Sequence, residues 1–588
     1  MSAAQAAESR HALRAACLFA VLVCAKVLTL VGHDIPVSAW TPVAYLWQDV
    51  FVVAFFLVVD RGLRRPALGW CLYAILVVYA AINVPIARVL STPLTWPMLR
   101  AARGPLADAV LHYLTSTNLL ALLAPVIVGA ALPLLLSRRM CAVRPWALVS
   151  AVAIVVAGPF AVSRVDTHGL HRNAFGAMVA TSLPRVEPAA GAADWRASPF
   201  NPPKGEDLSA LRGSMSGRNV ILVILESTGA RHLGAYGGVP DPTPNLTALA
   251  RRSIVFERAY AVYPESVKGL FATLCSRYPA FDTAPEIYAS VPCASLPQAL
   301  RSAGYRTALL HSGRFVYLGM PAMIEHRGFE VLEDAAAIGG QVNSSFGVDD
   351  ASTVQRALDW IASLKKGERF FLSYLPISGH SPYEASKPGP FRGRDDFTRY
   401  LNALHEGDEA LGNLFAGLRA LGHEDDTLIV VFGDHGEAFD EHPGNVAHTM
   451  FIYEENVRVP YLIAAPGVIA AQRRVHRLAS IVDTAPTILD LIGLPADARH
   501  DGASLLGPEP RMALFFTDYS IGWLGLADGC WKYLYEVDSG RSRLFDVCDD
   551  PGELRDRAAE FPQRVSVYRE RVRAWAAAQK EAVDATAR

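Results

Sequence analysis

Five long apolar runs near the start of the chain limit what it can fold into more than any other feature. They cover roughly residues 13–31, 41–59, 68–87, 118–136 and 145–162. Each approaches the ~20 residues a helix needs to cross the hydrocarbon of a bilayer. One such run is equally well read as a buried core helix; five in series are not. A cleaved signal peptide fits only the first run, and no small-residue cleavage site follows it. The expected architecture therefore begins with a five-span membrane domain over residues 1–163. Composition agrees: 51% of the 588 residues are hydrophobic and 19% charged, below the roughly 25% charged of soluble proteins. With 55 Lys+Arg against 57 Asp+Glu, no basic excess points to nucleic acid. The apolar content excludes general disorder.

Loop charges set the expected orientation. With the N-terminus inside, the inner segments carry Arg10, Arg14, Arg61, Arg64, Arg65, Arg138, Arg139 and Arg144, and the outer loops carry Arg88, Arg100 and Arg103. The excess inside predicts a cytoplasmic N-terminus and an exported remainder after about residue 163. The outer loop 88–117 has an amphipathic stretch at 96–110. It reads either as a segment on the membrane surface near a lipid substrate or as an ordinary surface loop. Lys26 and Asp49 fall inside apolar runs, where they either line a polar cavity or, for Lys26, snorkel to the interface. Cys17, Cys24, Cys71 and Cys141 belong to the membrane part; Cys275, Cys293, Cys530 and Cys548 belong to the exported part. An even number in an oxidising compartment suggests disulfides, with Cys275–Cys293 and Cys530–Cys548 as the local pairings and free buried thiols as the alternative.

Residues 164–218 read as a linker rich in Ala, Pro, Ser and Gly. From Asn219 the pattern changes to nearly continuous apolar runs at 219–225, 305–310, 370–375 and 428–432, the mark of strands buried on both faces. Helical patterns at 296–303, 351–364 and 402–421 separate them. This alternation predicts an α/β domain with a mostly parallel sheet flanked by helices, over 219–512. Short strands at 531–535 and 544–547 and a charged helix at 563–579 form a C-terminal subdomain, 513–588. That helix is expected to be a solvated structural element. In parallel sheets ligands bind at the carboxyl edge of the strands. Here the strand ends deliver Glu226-Ser227-Thr228, Asp434-His435-Gly436-Glu437 and the segment from Pro376 to His380. Carboxylates, imidazoles and a hydroxyl at one edge suit a divalent metal of the Zn or Mn kind.

The segments NVILVILESTGARHLGAYGG, TPNLTALARRSIVFERAYA, GYRTALLH, DTLIVVFGDHGEAFDEH, YEENVRVPYLIAAPG and SIVDTAPTILDLIGLP resemble, in order, those of the sulfatase-like branch of the alkaline phosphatase superfamily. The resemblance runs from about Asn219 to the end. Five spans ahead of such a domain resemble the membrane-anchored lipoteichoic acid synthases and lipid A phosphoethanolamine transferases. The resemblance implies a sulfatase-like α/β fold with a small C-terminal antiparallel sheet. Counting back from Tyr278-Pro279, it places the nucleophile at Ser266, with Thr273 or Ser276 as alternatives if the count slips. It implies Glu226, Ser266, Asp434 and His435 as ligands of one metal, Zn or Mn before Ca. It places His380 and His448 against the transferred phosphoryl group or a second metal, and His311 and Arg314 in a substrate-contacting segment. Lys268 is a further substrate-binding candidate beside Ser266. His405, His423, His442 and His500 read as surface residues, with His442 near enough to the site to stay open.

Departures from the family pattern narrow the expectation. A sulfatase oxidises Cys or Ser to formylglycine within Cys/Ser-x-Pro-x-Arg, whereas Ser266 is followed by Lys268 and Leu270 at the Pro and Arg positions. The first strand ends in Glu226-Ser227 rather than in paired aspartates. Both favour the transferase branch. The Gly-Asp and Trp-x-Arg residues of lipoteichoic acid synthases are not evident after His311, which does not favour a phosphoglycerol substrate. The expectation is a multi-pass enzyme of a bacterial inner membrane with its catalytic domain in the periplasm. It would move a phospho-headgroup from a phospholipid donor to a lipid- or glycan-linked acceptor through a covalent serine, with no nucleic-acid partner. A hydrolase of sulfate esters or phosphodiesters on the same scaffold is the alternative. A pseudoenzyme partner of an envelope assembly machine is a third reading, whose mark would be a broken ligand set.

Overall fold

The structure is a computed structural model that describes residues 3–33, 35–101, 113–136, 144–189, 194–340 and 346–587. Arg103, Arg138, Arg139, Cys141 and most of the amphipathic stretch 96–110 lie outside the described residues. Helices α1 (Ala3–Leu30), α2 (Thr41–Gly62), α3 (Pro66–Leu90), α5 (Ser116–Leu136) and α6 (Pro145–Arg164) are each long and apolar enough to cross a membrane, and a short α4 (Trp96–Ala101) lies between α3 and α5. Phe51, Phe55, Val58, Leu134, Leu135, Val152 and Val156 point outward from them, the pattern of helices solvated by lipid rather than by water. The chain is membrane-anchored through these helices. Two charged pairs are buried inside the bundle, where an apolar medium favours setting opposite charges against each other. Arg14 Nη2 donates to Asp60 Oδ2 at 2.9 Å, with both side chains buried. Lys26 is also buried, so it does not snorkel. Its Nζ donates to the carbonyls of Leu170, His171 and Arg172 at 3.3, 3.0 and 2.9 Å and lies 3.6 Å from Asp49 Oδ2.

Apolar runs become the strands of the exported part. The strands are β1 (Asn219–Leu225), β2 (Ile254–Tyr260), β3 (Tyr305–His311), β4 (Val331–Glu333), β5 (Arg369–Leu375), β6 (Thr427–Gly433), β7 (Ala438–Phe439), β8 (Val446–Ala447), β9 (Arg458–Val459), β10 (Tyr461–Ala464) and β11 (Arg473–Ser480). All but β7 and β8 form one nine-stranded sheet in the order β11-β2-β10-β6-β1-β5-β3-β4, with β9 on β2. β6, β1, β5, β3 and β4 run parallel, and β10 is antiparallel to both β2 and β6. The sheet is therefore mixed, and β2 points the same way as β1 and β6. Every residue of β1 is buried, as its position in mid-sheet requires.

Helices α7 (Ser266–Cys275), α8 (Asp350–Ala362) and α9 (Asp396–Ala420) flank the sheet. α9 starts earlier than the apolar periodicity suggests because Asp395 caps it, accepting the Thr398 N–H at 2.9 Å. β12 (Met512–Thr517), β13 (Trp523–Asp528), β14 (Trp531–Glu536) and β15 (Ser542–Asp546) form an antiparallel meander. The terminal α10 (Pro562–Ala587) is solvated on one face only; Val565, Tyr568, Val572, Trp575 and Val583 are buried in the domain core. Disulfides join Cys275 to Cys293 and Cys530 to Cys548.

Candidate active site

Parallel strands put their carboxyl ends at one edge, and four of them converge there. β1 runs into Glu226, β6 into Asp434 and His435, and β5 into the loop that carries His380. β2 leads within six residues to Ser266, the first residue of α7. The exit from β1 is strained: Ser227 is buried with φ 51°, a conformation that persists only where surrounding contacts enforce it. The Ser227 N–H donates to Asp434 Oδ1 at 3.0 Å, and so does the His435 N–H at 2.7 Å. Gly379 completes the junction, because a Cβ there would come within 2.1 Å of the Glu226 carbonyl oxygen.

These turns aim the side chains at one point. Ser266 Oγ donates to Glu226 Oε2 at 2.7 Å and lies 3.5 Å from His435 Nε2. His435 Nε2 is 3.6 Å from Glu226 Oε1 and 3.5 Å from Asp434 Oδ2. One ligand atom each from Glu226, Asp434 and His435 falls within 4.8 Å of the others. His435 Nδ1 faces the Gly436 carbonyl at 3.0 Å, which leaves Nε2 for the cluster. The electrostatics are those of a cation site. Burial and Glu226 push the Asp434 carboxyl well above the carboxylate range. Burial raises Glu226 too, but His435, His380 and His448 outweigh it and hold Glu226 at about 2. Burial and His448 keep His435 near 4, hence neutral. Two buried carboxylates, a neutral imidazole and a hydroxyl fit a divalent metal, whose charge offsets the repulsion between the acids.

The histidines stand around this cluster. The His448 ring is 4.2 Å from that of His435, and its Nδ1 lies 2.6 Å from Glu437 Oε2. Burial lowers the His448 pKa, yet Glu437 more than compensates and raises it overall. Glu437 also accepts from Tyr383 Oη. Its partnership with His448 is absent from the sequence reading, although Glu437 stands in the same Asp-His-Gly-Glu segment. His380 Nδ1 is 2.5 Å from the Ser381 carbonyl, and its ring lies 4.6 Å from Phe346. His311 is buried at the end of β3, its Nδ1 3.1 Å from the Leu375 carbonyl; burial lowers its pKa. Arg314 is half-buried in the loop beyond it.

Lys268 departs from its expected role. It is buried, and its Nζ donates to Asp518 Oδ2 at 2.7 Å and Oδ1 at 2.9 Å, so its charge is engaged by the C-terminal subdomain. Thr273 Oγ1 donates to the Gly269 carbonyl and Ser276 Oγ to the Val482 carbonyl; neither alternative hydroxyl joins the cluster. His442 pairs with Glu455 at 2.6 Å and stacks on Tyr453, apart from Ser266. A buried carboxyl not foreseen is Glu265, which caps α7 by accepting the Val267 N–H at 2.7 Å; burial lifts it to about 7.

Residues 218–494 match the Sulfatase family model. Human N-acetylgalactosamine-6-sulfatase is 26% identical over 341 residues, covering 49% of this chain and 65% of its own length. Bovine arylsulfatase K is 31% identical over 222 residues, covering 34% and 40%. The chain thus spans less than two thirds of the length of these curated relatives. Among solved structures, a protein in the alkaline phosphatase superfamily from Vibrio parahaemolyticus superposes with a TM-score of 0.55 at 22% identity, over 65% of this chain and 90% of that one. The lipoteichoic acid synthase LtaP from Listeria monocytogenes does so with a TM-score of 0.50 at 18% identity, over 64% and 94%. These two likenesses concern the fold. Behind five helices long and apolar enough to cross a membrane, the chain is therefore similar over residues 218–494 to the Sulfatase family, a family of enzymes.

Proposed function

We propose that this protein is a metal-dependent transferase of a bacterial inner membrane, with its catalytic domain in the periplasm and Ser266 as nucleophile. The observation that carries the proposal is the placement of Ser266 Oγ at the first turn of α7, 2.7 Å from Glu226 and beside His435, on a domain anchored by five apolar helices. Glu226, Ser266, Asp434 and His435 would hold the metal, with Zn or Mn suiting the mixed oxygen and nitrogen donors better than Ca. When bound, the metal lowers the serine pKa and withdraws charge from a phosphoryl oxygen.

The chain's own residues supply the rest. Glu226 orients the Ser266 hydroxyl. The positive end of α7 faces the phosphoryl charge. Ser266, its hydroxyl proton given up to solvent, attacks the phosphorus of a phospholipid through Oγ; the Oγ–P bond forms and the P–O bond to diacylglycerol breaks. His448, its Nδ1 held by Glu437, presents Nε2 and protonates the departing alkoxide. An acceptor hydroxyl of an envelope lipid or glycan, its proton passing to the now neutral His448, then attacks the same phosphorus, and the Ser266 Oγ–P bond breaks. Membrane anchorage suits a reaction whose donor and acceptor are both lipid-linked.

The sulfatase relatives favour a second reading, in which water takes the acceptor's place and the enzyme hydrolyses a sulfate ester or phosphodiester. The Lys268 and Leu270 departures speak against its formylglycine form. Intact mass of the full chain in detergent, after incubation with metal and phosphatidylethanolamine or phosphatidylglycerol, tests the proposal. The expected result is a phosphoethanolamine or phosphoglycerol increment on Ser266 that Ser266→Ala abolishes. No adduct, together with turnover of a soluble sulfate ester or phosphodiester, would establish the hydrolase. Loss of two hydrogens at Ser266 would reveal formylglycine and overturn the transferase.

A further inference from the structure

Lys268 sits where local physics disfavours it. A cation in the first turn of a helix opposes the helix dipole, and burying it costs several kcal/mol unless it is well paired. Its partner, Asp518, is fully engaged: Oδ1 also accepts from Tyr263 Oη at 2.7 Å, and Oδ2 from the Asp282 N–H at 2.6 Å. Asp518 opens the five-residue connection between β12 and β13, whose first three residues form the segment Asp518–Ser520. Apart from the Tyr519 N–H, which donates to Thr517 Oγ1 at 3.4 Å, the other groups of that segment that form hydrogen bonds meet residues that precede the catalytic domain. Arg185 donates to the Asp518 carbonyl at 2.7 Å and the Ser520 carbonyl at 2.9 Å. Thr95 Oγ1, just before α4, donates to the Tyr519 carbonyl at 2.7 Å. Ser520 Oγ meets Thr92 Oγ1, and Arg172 Nη1 donates to it at 3.0 Å. Arg172 is in turn fixed from the bundle: its carbonyl and those of Leu170 and His171 accept from Lys26 of α1, and Asn173 Nδ2 donates to Asp49 of α2 at 2.5 Å.

We infer that the segment Asp518–Ser520 couples the membrane helices to the nucleophile, with Asp518 and Lys268 as positioning residues that set α7, and thus Ser266, by where the membrane part holds Ser520. The inference rests on Ser266 being the nucleophile proposed above. It gives the buried Lys26–Asp49 pair a purpose: fixing the 170–173 segment against which the catalytic domain docks. Reaction geometry is sensitive to shifts near 1 Å, and such shifts cost up to about 100-fold in rate, so a mobile dock would be felt at the serine.

The test uses the full chain in detergent. Ser520→Ala removes the hydroxyl that Thr92 and Arg172 share, and Arg172→Gln is a second variant approaching from the other side. Expected are faster amide exchange confined to residues 262–276, with β1, β3 and β5 unchanged, and a fall in kcat of about 10-fold on a soluble ester with KM and bound metal unchanged. Ser520→Thr, which keeps the hydroxyl, should restore both. In a Lys268→Met background the Ser520→Ala change should add little, because the link is already cut. Wild-type exchange over 262–276 in both variants, or strictly additive effects, would overturn the coupling. The exchange readout does not depend on which reaction the enzyme performs. A fully active Ser266→Ala would sink the nucleophile reading instead, and with it the assignment of Asp518 and Lys268 as positioning residues.

Discussion

Two sides of the site are built in different ways. Glu226, Asp434 and His435 leave strands buried in mid-sheet; backbone N–H and carbonyl groups fix Asp434 and His435, and the Ser227 and Ser266 hydroxyls fix Glu226. His380, His448 and His311 lie on or beside connecting segments, each held through one ring nitrogen by a carboxylate or a carbonyl and through its face by a neighbouring ring, with Arg314 in the loop beyond His311. The first side is a rigid cradle for charge. The second is a set of adjustable groups around it. The difference teaches that holding a metal and handling a substrate are separable tasks here, so substitutions on the two sides should fail differently.

The largest effect is expected on the cradle. Asp434→Asn removes a carboxylate that burial and Glu226 already strain toward the neutral form. Bound metal, measured by mass spectrometry of the purified chain, should fall to near zero, and turnover should fall by about 1,000-fold or more. Ser266→Ala should lose turnover to a similar extent while retaining metal, since two carboxylates and an imidazole remain. Retention of full activity in either variant would break the distinction between the two sides.

A smaller effect, and one of a different kind, is expected on the rim. His448→Ala should keep its metal and lose about 100-fold in kcat, the usual worth of a general acid. Glu437→Gln tests the cause. Glu437 raises the His448 pKa, so its neutralisation should lower that pKa. A step that needs protonated His448 loses rate as pH rises through the pKa. In Glu437→Gln that alkaline limb should therefore move to lower pH, while the low-pH plateau changes little. A limb that stays in place would remove His448 from the proton transfer. His380→Ala should cost less again, about 10-fold, visible mainly in KM for the ester.

The same contrast explains what could be read from the sequence. The cradle was legible because each of its residues follows an apolar run, and parallel strands bring such ends together without any knowledge of side-chain contacts. The membrane helices were legible for a similar reason, since length and apolarity alone define them. Three features were not. β10 is four residues long, too short to show its antiparallel direction, so the mostly parallel sheet was legible but the place of its antiparallel strand was not. The Glu437–His448 contact spans 11 residues of a hairpin, a geometry that spacing does not reveal. Lys268 looked like a substrate contact because it sits two residues from Ser266. Its true partner lies 250 residues away in sequence, and only the fold of the C-terminal sheet brings Asp518 to it.

The smallest expected effect concerns Thr273, the alternative nucleophile if the count from Tyr278-Pro279 slips. It lies seven residues after Ser266, two helical turns along α7, and its hydroxyl is bound back to the Gly269 carbonyl at 3.0 Å. A back-bonded threonine inside a helix adds little to helix stability. Its Oγ1 is also directed at its own backbone rather than at Glu226 or His435. Thr273→Ala should therefore leave metal content unchanged and alter kcat by less than about twofold, with a stability loss of about 1 kcal/mol from the buried methyl. If Thr273→Ala instead abolished turnover while Ser266→Ala did not, α7 would have to enter the site one or two turns further along. Glu265 could not then cap it, and the cradle and its nucleophile would no longer share one edge of the sheet.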